Sequence, residues 1–216
     1  MAFMGQAGVA MLRIWGRTNS VNVQKVMWAV GELGLAHERL DAGLAFGVVE
    51  TPEYKAKNPN SRVPTVEDDG LVLWESNATV RYLAAKYGAG NLWANDPGAR
   101  SLADRWMDWA TAHVQPDLTP VFWGLIRTPA EQRNMPLIEA AAQRSAETWR
   151  ILDAHLARQP YVAGERFTMG DIPVGCFCWR YYALPIQRPE LPNLAAWHAR
   201  LQARPAFRAH VAMPLT

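Results

Sequence analysis

Hydrophobic and polar positions along this chain change period near its middle. Leu12-Arg13-Ile14-Trp15 alternates and predicts a strand. Val23, Val26, Met27, Val30 and Leu33 then recur at helical spacing, and Gly34 follows where a left-handed residue commonly ends a helix. A short second strand is expected near Glu38 to Asp41, an irregular glycine-bearing stretch over residues 42–51, and a short helix near Pro52 to Lys57. Thr65 to Glu67 and Leu71 to Trp74 flank Asp68-Asp69-Gly70, a strong hairpin signal. Ser76 is expected to cap a helix whose Val80, Leu83, Ala84 and Tyr87 face inward, ending at Gly88. That order of elements over residues 11–88 predicts a compact α/β unit.

Residues 89–96 are rich in Gly, Ala and Asn and read as a linker. Beyond it strand signals vanish. Asp96-Pro97 looks like an N-cap followed by proline at the first helical position, opening a long helix through Trp106 and Trp109 that bends near Pro116 and Pro120. A second helix is expected from about Leu137 to Leu156, a third from Thr168-Met169-Gly170-Asp171, and a fourth capped by Asn193 with Leu194, Trp197 and Leu201 inside. Residues 97–216 thus predict an all-α domain without internal repeats. Residues 1–10 lack the charged start and apolar length of a signal peptide; Met11 is a natural start, and the preceding stretch reads as a disordered leader.

Composition narrows the function classes. Half of the 216 residues are apolar and 19% are charged, which describes a globular chain. The net charge is +2 with no basic run, so a nucleic-acid partner is not expected. No apolar stretch approaches the roughly 20 residues of a membrane span. The only cysteines, Cys176 and Cys178, are two apart on an expected helix and point away from each other, so a disulfide framework is excluded and a reducing cytoplasm is the natural setting. The five histidines show no metal-ligand spacing, and no metal is expected.

Three short segments carry candidate chemistry, each with an ordinary alternative. Ser20 and Asn22 stand between the first strand and first helix, where the field of a helix N-terminus favours anions and depresses a thiol's pKa; Ser20 also suits a plain N-cap. Val63-Pro64 opens a strand. If its bond is cis, Val63 presents its main-chain groups to an extended peptide, although only roughly 5–6% of X–Pro bonds in folded proteins are cis. Glu75-Ser76 offers a carboxylate for an ammonium, and a hydroxyl with helix N-terminal N–H groups for a carboxylate, or merely begins a helix. Their order and spacing together are more specific than any one alone. Thr168 and Asp171 read as a structural capping box with Asp at its fourth position, and Phe167 can staple against Ile172. Trp106, Trp109, Trp123, Trp179 and Tyr182 are candidates to line a cleft facing the α/β domain.

These segments resemble the soluble glutathione transferases of the bacterial theta, delta and nu-like kinds. The resemblance rests on Ser20-Val21-Asn22-Val23-Gln24-Lys25-Val26, Asn58-Pro59-Asn60-Ser61-Arg62-Val63-Pro64, Glu75-Ser76-Asn77 and Phe167-Thr168-Met169-Gly170-Asp171, and covers nearly all the chain from Met11. It implies a thioredoxin-like N-terminal domain with a cis proline at Pro64, plus an all-helical C-terminal domain. It implies that Ser20 hydrogen-bonds the glutathione sulfur, with Asn22 as second choice, that Val63 pairs with the cysteinyl unit, and that Glu75 and Ser76 hold the γ-glutamyl end. No tyrosine or cysteine stands at the start of the first helix, and the glycyl carboxylate is left to Arg62 or Lys57. The implied activity is conjugation of glutathione, a co-substrate rather than a cofactor, to a small hydrophobic electrophile by a cytoplasmic homodimer. A glutathione-dependent disulfide or peroxide reductase and a non-catalytic ligand-binding module of the same fold are the alternatives.

Overall fold

In the computed structural model residues 11–216 are described, and the leader expected over 1–10 lies outside them. Strand β1 (Leu12–Trp15) leads into α1 (Val21–Glu32), β2 (His37–Leu40), α2 (Pro52–Lys57), β3 (Thr65–Asp68), β4 (Leu71–Trp74) and α3 (Ser76–Tyr87). The sheet order is β2-β1-β3-β4, with β1 parallel to β2 and antiparallel to β3. A parallel pair needs a crossover, and α1 supplies it. Asp69 (φ +50°) and Gly70 (φ +81°) both occupy the left-handed region that a two-residue turn between twisted strands demands. This is a thioredoxin-like domain with a mixed sheet, followed by an all-α domain.

The helical domain comprises α4 (Pro97–Trp109), α5 (Gln115–Phe122), α6 (Met135–Leu156), α7 (Asp171–Ala183), α8 (Pro192–Gln202) and α9 (Pro205–His210). Asp96 caps α4 by accepting from the Ala99 N–H at 2.7 Å. The prolines at 116 and 120 are flanked by wide five-residue turns, Ala110–Val114 and Trp123–Arg127, which accommodate a helix that has lost donors. Among the described residues no helix is long and apolar enough to cross a membrane.

Helix α1 forms the seam between the two domains. Trp28 is fully buried and packs on Phe167 (5.3 Å) and Phe207 (4.8 Å), while its Nε1 donates to Glu32. Glu32 also holds Arg204, at 2.8 and 2.6 Å. Asp171 lies at the base of α7, fully buried. It accepts from the Thr168 N–H (2.9 Å), the Thr168 hydroxyl (3.3 Å), the Val162 N–H (3.0 Å) and Trp197 Nε1 (2.9 Å). Burial still outweighs these bonds and lifts its carboxyl to about 6. Gly170 permits the close approach of α7 to α4, since a Cβ there would stand 2.8 Å from the Ala103 carbonyl oxygen. Cys176 and Cys178, further along α7, are free and buried.

Three local expectations need correction, and one element carried no expectation. Glu75, not Ser76, is the N-cap of α3, and Ser76 is its first residue. Asn193 lies inside α8; the capping carboxylate is Asp153 of α6, which accepts from the Leu194 N–H at 2.8 Å, a tertiary partner no local pattern reveals. Tyr87 does not face inward: its ring is exposed while its hydroxyl donates to buried Asp68. Helix α9, six residues long, is too short to show a period.

Candidate active site

The chain leaves β1 through a tight turn, Arg17 to Ser20, closed by the Ser20 N–H donating to the Arg17 carbonyl at 3.3 Å. Ser20 takes the N-cap position of α1 with extended backbone, yet its side chain makes no capping bond. Its hydroxyl lines a cavity of about 680 Å³ instead. Asn22, the second residue of α1, lines the same cavity, and its oxygen Oδ1 accepts from Lys25 Nζ (3.0 Å) and Ser76 Oγ (3.3 Å). With Oδ1 so engaged, the Nδ2 donors have no partner among the described residues.

Val63 and Pro64 form the opposite wall, and the bond between them is cis. The Val63 N–H and C=O have no partner among the described residues. The loop before them is pinned by two side chains to which the sequence pattern assigns no role. Buried Asn58 donates to the Arg62 carbonyl (2.9 Å) and to Thr65 Oγ1 (3.1 Å), and the Tyr54 hydroxyl donates to the same Arg62 carbonyl at 2.7 Å. Arg62 itself stands exposed on the rim. Lys57 does not reach the cavity; it pairs with Glu67 and lies over the Trp15 ring.

Glu75 and Ser76 close the third side. Glu75 is held at φ +66°, a conformation costly for a residue with a Cβ. Its carbonyl accepts from both the N–H (2.9 Å) and the hydroxyl (3.0 Å) of Thr79, which fix that geometry. Its carboxylate meets no donor among the described residues. The structure therefore gathers Ser20, Asn22, Arg62, Val63, Pro64, Glu75 and Ser76 around one space; Thr168 and Asp171 lie elsewhere, at the base of α7.

Of the five aromatic residues expected to line a cleft, Trp123 alone does so. Trp106 packs between Trp109 and His155, Trp179 bonds the Met213 carbonyl, and Tyr182 stacks on His198 at 4.7 Å. Arg17 and Gln115 also line the cavity and were not anticipated, because a lone polar residue in a turn carries no periodic signal. A second cavity, about 730 Å³, lies between α6 and residues 185–189 and holds none of these groups. Among the described residues no three His, Cys, Asp or Glu side chains cluster as a metal site.

The comparisons with known proteins agree with this architecture. Residues 10–85 match the family pattern described as glutathione S-transferase, N-terminal domain, and residues 135–200 match glutathione S-transferase, C-terminal domain. Glutathione S-transferase GstB of Escherichia coli (strain K12) is 39% identical over 208 residues, which is 95% of this chain and all of that protein. Glutathione S-transferase 3 of Zea mays is 32% identical, covering 94% of this chain and 95% of that protein. Among solved structures, the theta class glutathione S-transferase of Xanthomonas axonopodis pv. citri with glutathione bound superposes with a TM-score of 0.93. It is 49% identical and covers 96% of this chain and all of that one.

Proposed function

Because this chain belongs to the glutathione S-transferase family, we propose that its cavity seats glutathione with the sulfur between Ser20 and Asn22 and delivers it to an electrophilic carbon. The observation that carries the reading is the Ser20 hydroxyl, which sits at a helix N-terminus, makes no capping bond and lines the same space as Val63, Glu75 and Ser76. The Glu75 carboxylate takes the ligand's ammonium. The main-chain N–H of Ser76 and the α3 N-terminus take its γ-glutamyl carboxylate, since the Ser76 hydroxyl is engaged with Asn22. The main chain of Val63 pairs with the cysteinyl unit, and Arg62 on the rim reaches the glycyl carboxylate.

A free thiol has a pKa near 8.5, so only a few per cent is anionic at neutral pH. A hydrogen bond to a charged group is worth roughly 1.5–3 kcal/mol, and a pKa unit corresponds to about 1.4 kcal/mol. A bond from Ser20 therefore lowers the bound thiol by about one to two units, the α1 N-terminus adds a smaller share, and thiolate becomes the major form. The Asn22 Nδ2 donors supply a second bond. The proton leaves to solvent; sulfur attacks carbon, and the leaving group departs with its bonding pair.

The relatives carry transferase names, and neither the reductase nor the non-catalytic reading gains support from them. Turnover of an aryl halide against hydroxyethyl disulfide tests the assignment. Conjugation of the halide is expected, and reduction of the disulfide alone would replace it. Pairing of two chains belongs to the same proposal, with exposed Leu71, Trp74 and Leu102 offering apolar surface for it; a monomeric mass by light scattering would remove it.

A further inference from the structure

The Ser20 hydroxyl is not aimed by the bond that usually aims an N-cap serine. Such a side chain ordinarily accepts from an N–H in the first turn of its helix, and here that bond is not made. The direction of the hydroxyl therefore follows from the backbone on either side. The Ser20 carbonyl accepts from the Gln24 N–H at 2.9 Å, which fixes the peptide that follows. The peptide before it, between Asn19 and Ser20, is a rigid plane that turns as one body. Its N–H donates to the Arg17 carbonyl over a long 3.3 Å. Its carbonyl accepts from Arg180 Nη2 at 2.9 Å. That second anchor comes from α7, in the other domain.

Arg180 is an expensive way to join two domains. The residue is only 8% exposed, and its Nε is buried without an acceptor. Burial, and then Arg127, lowers its pKa to about 10, so it stays cationic at neutral pH. A cation beside a helix N-terminus opposes the field there, and a buried charge costs more than an apolar side chain of similar volume. The contacts of Trp28 with Phe167 and Phe207, and the pair of Glu32 with Arg204, already clasp α1 to the helical domain. The Phe122 ring, 4.2 Å away, supports the guanidinium from one side. Its hydrogen bond to protein, among the described residues, goes to the Asn19 carbonyl alone. A charged donor makes that bond stronger than one between neutral groups.

Resting on the glutathione seat proposed above, we infer that Arg180 is a positioning residue for the transfer step. From the helical domain it holds the peptide ahead of Ser20, and so turns the Ser20 hydroxyl toward the sulfur. Without it the Asn19–Ser20 plane keeps only the long bond to Arg17, and the hydroxyl is free to swing back onto the first turn of α1 as an ordinary cap.

The test compares the glutathione complexes of wild type, Ser20→Ala, Arg180→Met, Arg180→Lys and the double variant Ser20→Ala with Arg180→Met. The bound thiol is titrated through its thiolate absorbance, and the glutathione Kd is read from tryptophan fluorescence. Arg180→Met is expected to raise the thiol's apparent pKa by about half a unit or more, with the Kd little altered. Arg180→Lys keeps a charged donor without the planar fork, and its pKa is expected to fall between those of wild type and Arg180→Met. Arg180→Met is expected to add nothing once Ser20→Ala has been made, since no hydroxyl is left to aim. Independent, additive rises would make Arg180 a source of field rather than of position. An unmoved pKa, or a Kd that weakens enough to account for the lost rate, would make it a structural clasp. Each of these overturns the inference and leaves the glutathione seat standing. A wild-type complex whose thiol titrates like free glutathione overturns both. If Arg180→Met does not fold, Arg180→Lys carries the test: no rise alone, or a further rise on top of Ser20→Ala, overturns the inference.

Discussion

The ammonium of Lys25 stands 3.0 Å from the side-chain oxygen of Asn22, although Lys25 is 1% exposed and its Nζ lies 4.7 Å over the Phe177 ring. Burial brings its pKa down to about 8, against the opposing influence of Cys176 and Glu75. What this buried cation does is orient an amide: with Oδ1 turned toward Lys25 and Ser76, only the N–H donors of Asn22 remain for the cavity. Lys25→Met keeps most of the volume but frees that amide to flip. It is expected to lower kcat several-fold while leaving the KM for glutathione within about twofold, and Lys25→Arg is expected to restore part of the rate. Parallel changes in kcat and KM, or no change, would deny Lys25 this positioning role.

Ser20→Ala removes the hydroxyl without disturbing a cap, since none is made. The glutathione Kd is expected to stay nearly the same and kcat/KM for a chlorodinitrobenzene-type substrate to fall tenfold or more. An unchanged rate would pass the role to Asn22.

Glu75→Ala acts on binding instead. It removes a carboxylate free of partners at the cavity edge, and glutathione affinity measured by tryptophan fluorescence is expected to fall clearly. An unaltered Kd would refute the ammonium contact. Glu75→Gly separates the carboxylate from the strained φ of +66°, because glycine adopts that backbone readily; it should bind as weakly as the alanine variant.

Asp171→Ala strands the Thr168 and Val162 N–H groups and Trp197 Nε1 without an acceptor in the core. Each buried unsatisfied donor costs about 1–3 kcal/mol, so urea unfolding should show a loss of 3 kcal/mol or more. A loss under about 1 kcal/mol would mean these bonds are readily replaced.

Stability should also respond to acid through His198, whose pKa burial pushes down to about 4. A depressed pKa means the unfolded chain takes the proton first, so this contribution is present above the ordinary value near 6.5 and is lost as pH falls toward 4. The slope is at most about 1.4 kcal/mol per pH unit. Asp171, raised to about 6, acts in the opposite sense below that pH. The His198 share is therefore read as the difference between wild type and His198→Phe, which should narrow as pH falls from 6.5 to 4. A constant difference would contradict it.

Periodicity and turn chemistry were enough to place β1, α2, β4 and the Asp69-Gly70 turn, because those elements are determined by residues within them. The walls of the site were legible as three spaced segments, Ser20-Val21-Asn22, Arg62-Val63-Pro64 and Glu75-Ser76. What escaped was everything set by distant partners. Asp153 caps α8 from forty residues away, Asn58 and Tyr54 pin the Arg62 carbonyl, and Arg17 meets Arg127 and Arg180 only after α7 folds onto α1. The aromatic residues expected at the cleft show the same limit, for a tryptophan's spacing does not say whether it faces a cavity or the core.

The central claim is that glutathione's sulfur is held as a thiolate beside Ser20. Titrating the thiolate absorbance near 240 nm of the glutathione complex, wild type against Ser20→Ala, tests it most directly. The account predicts an apparent pKa about one to two units below the free thiol's in the wild type, returning most of the way upward in the variant. A bound thiol that titrates like free glutathione, or a lowered pKa that Ser20→Ala leaves in place, would contradict it.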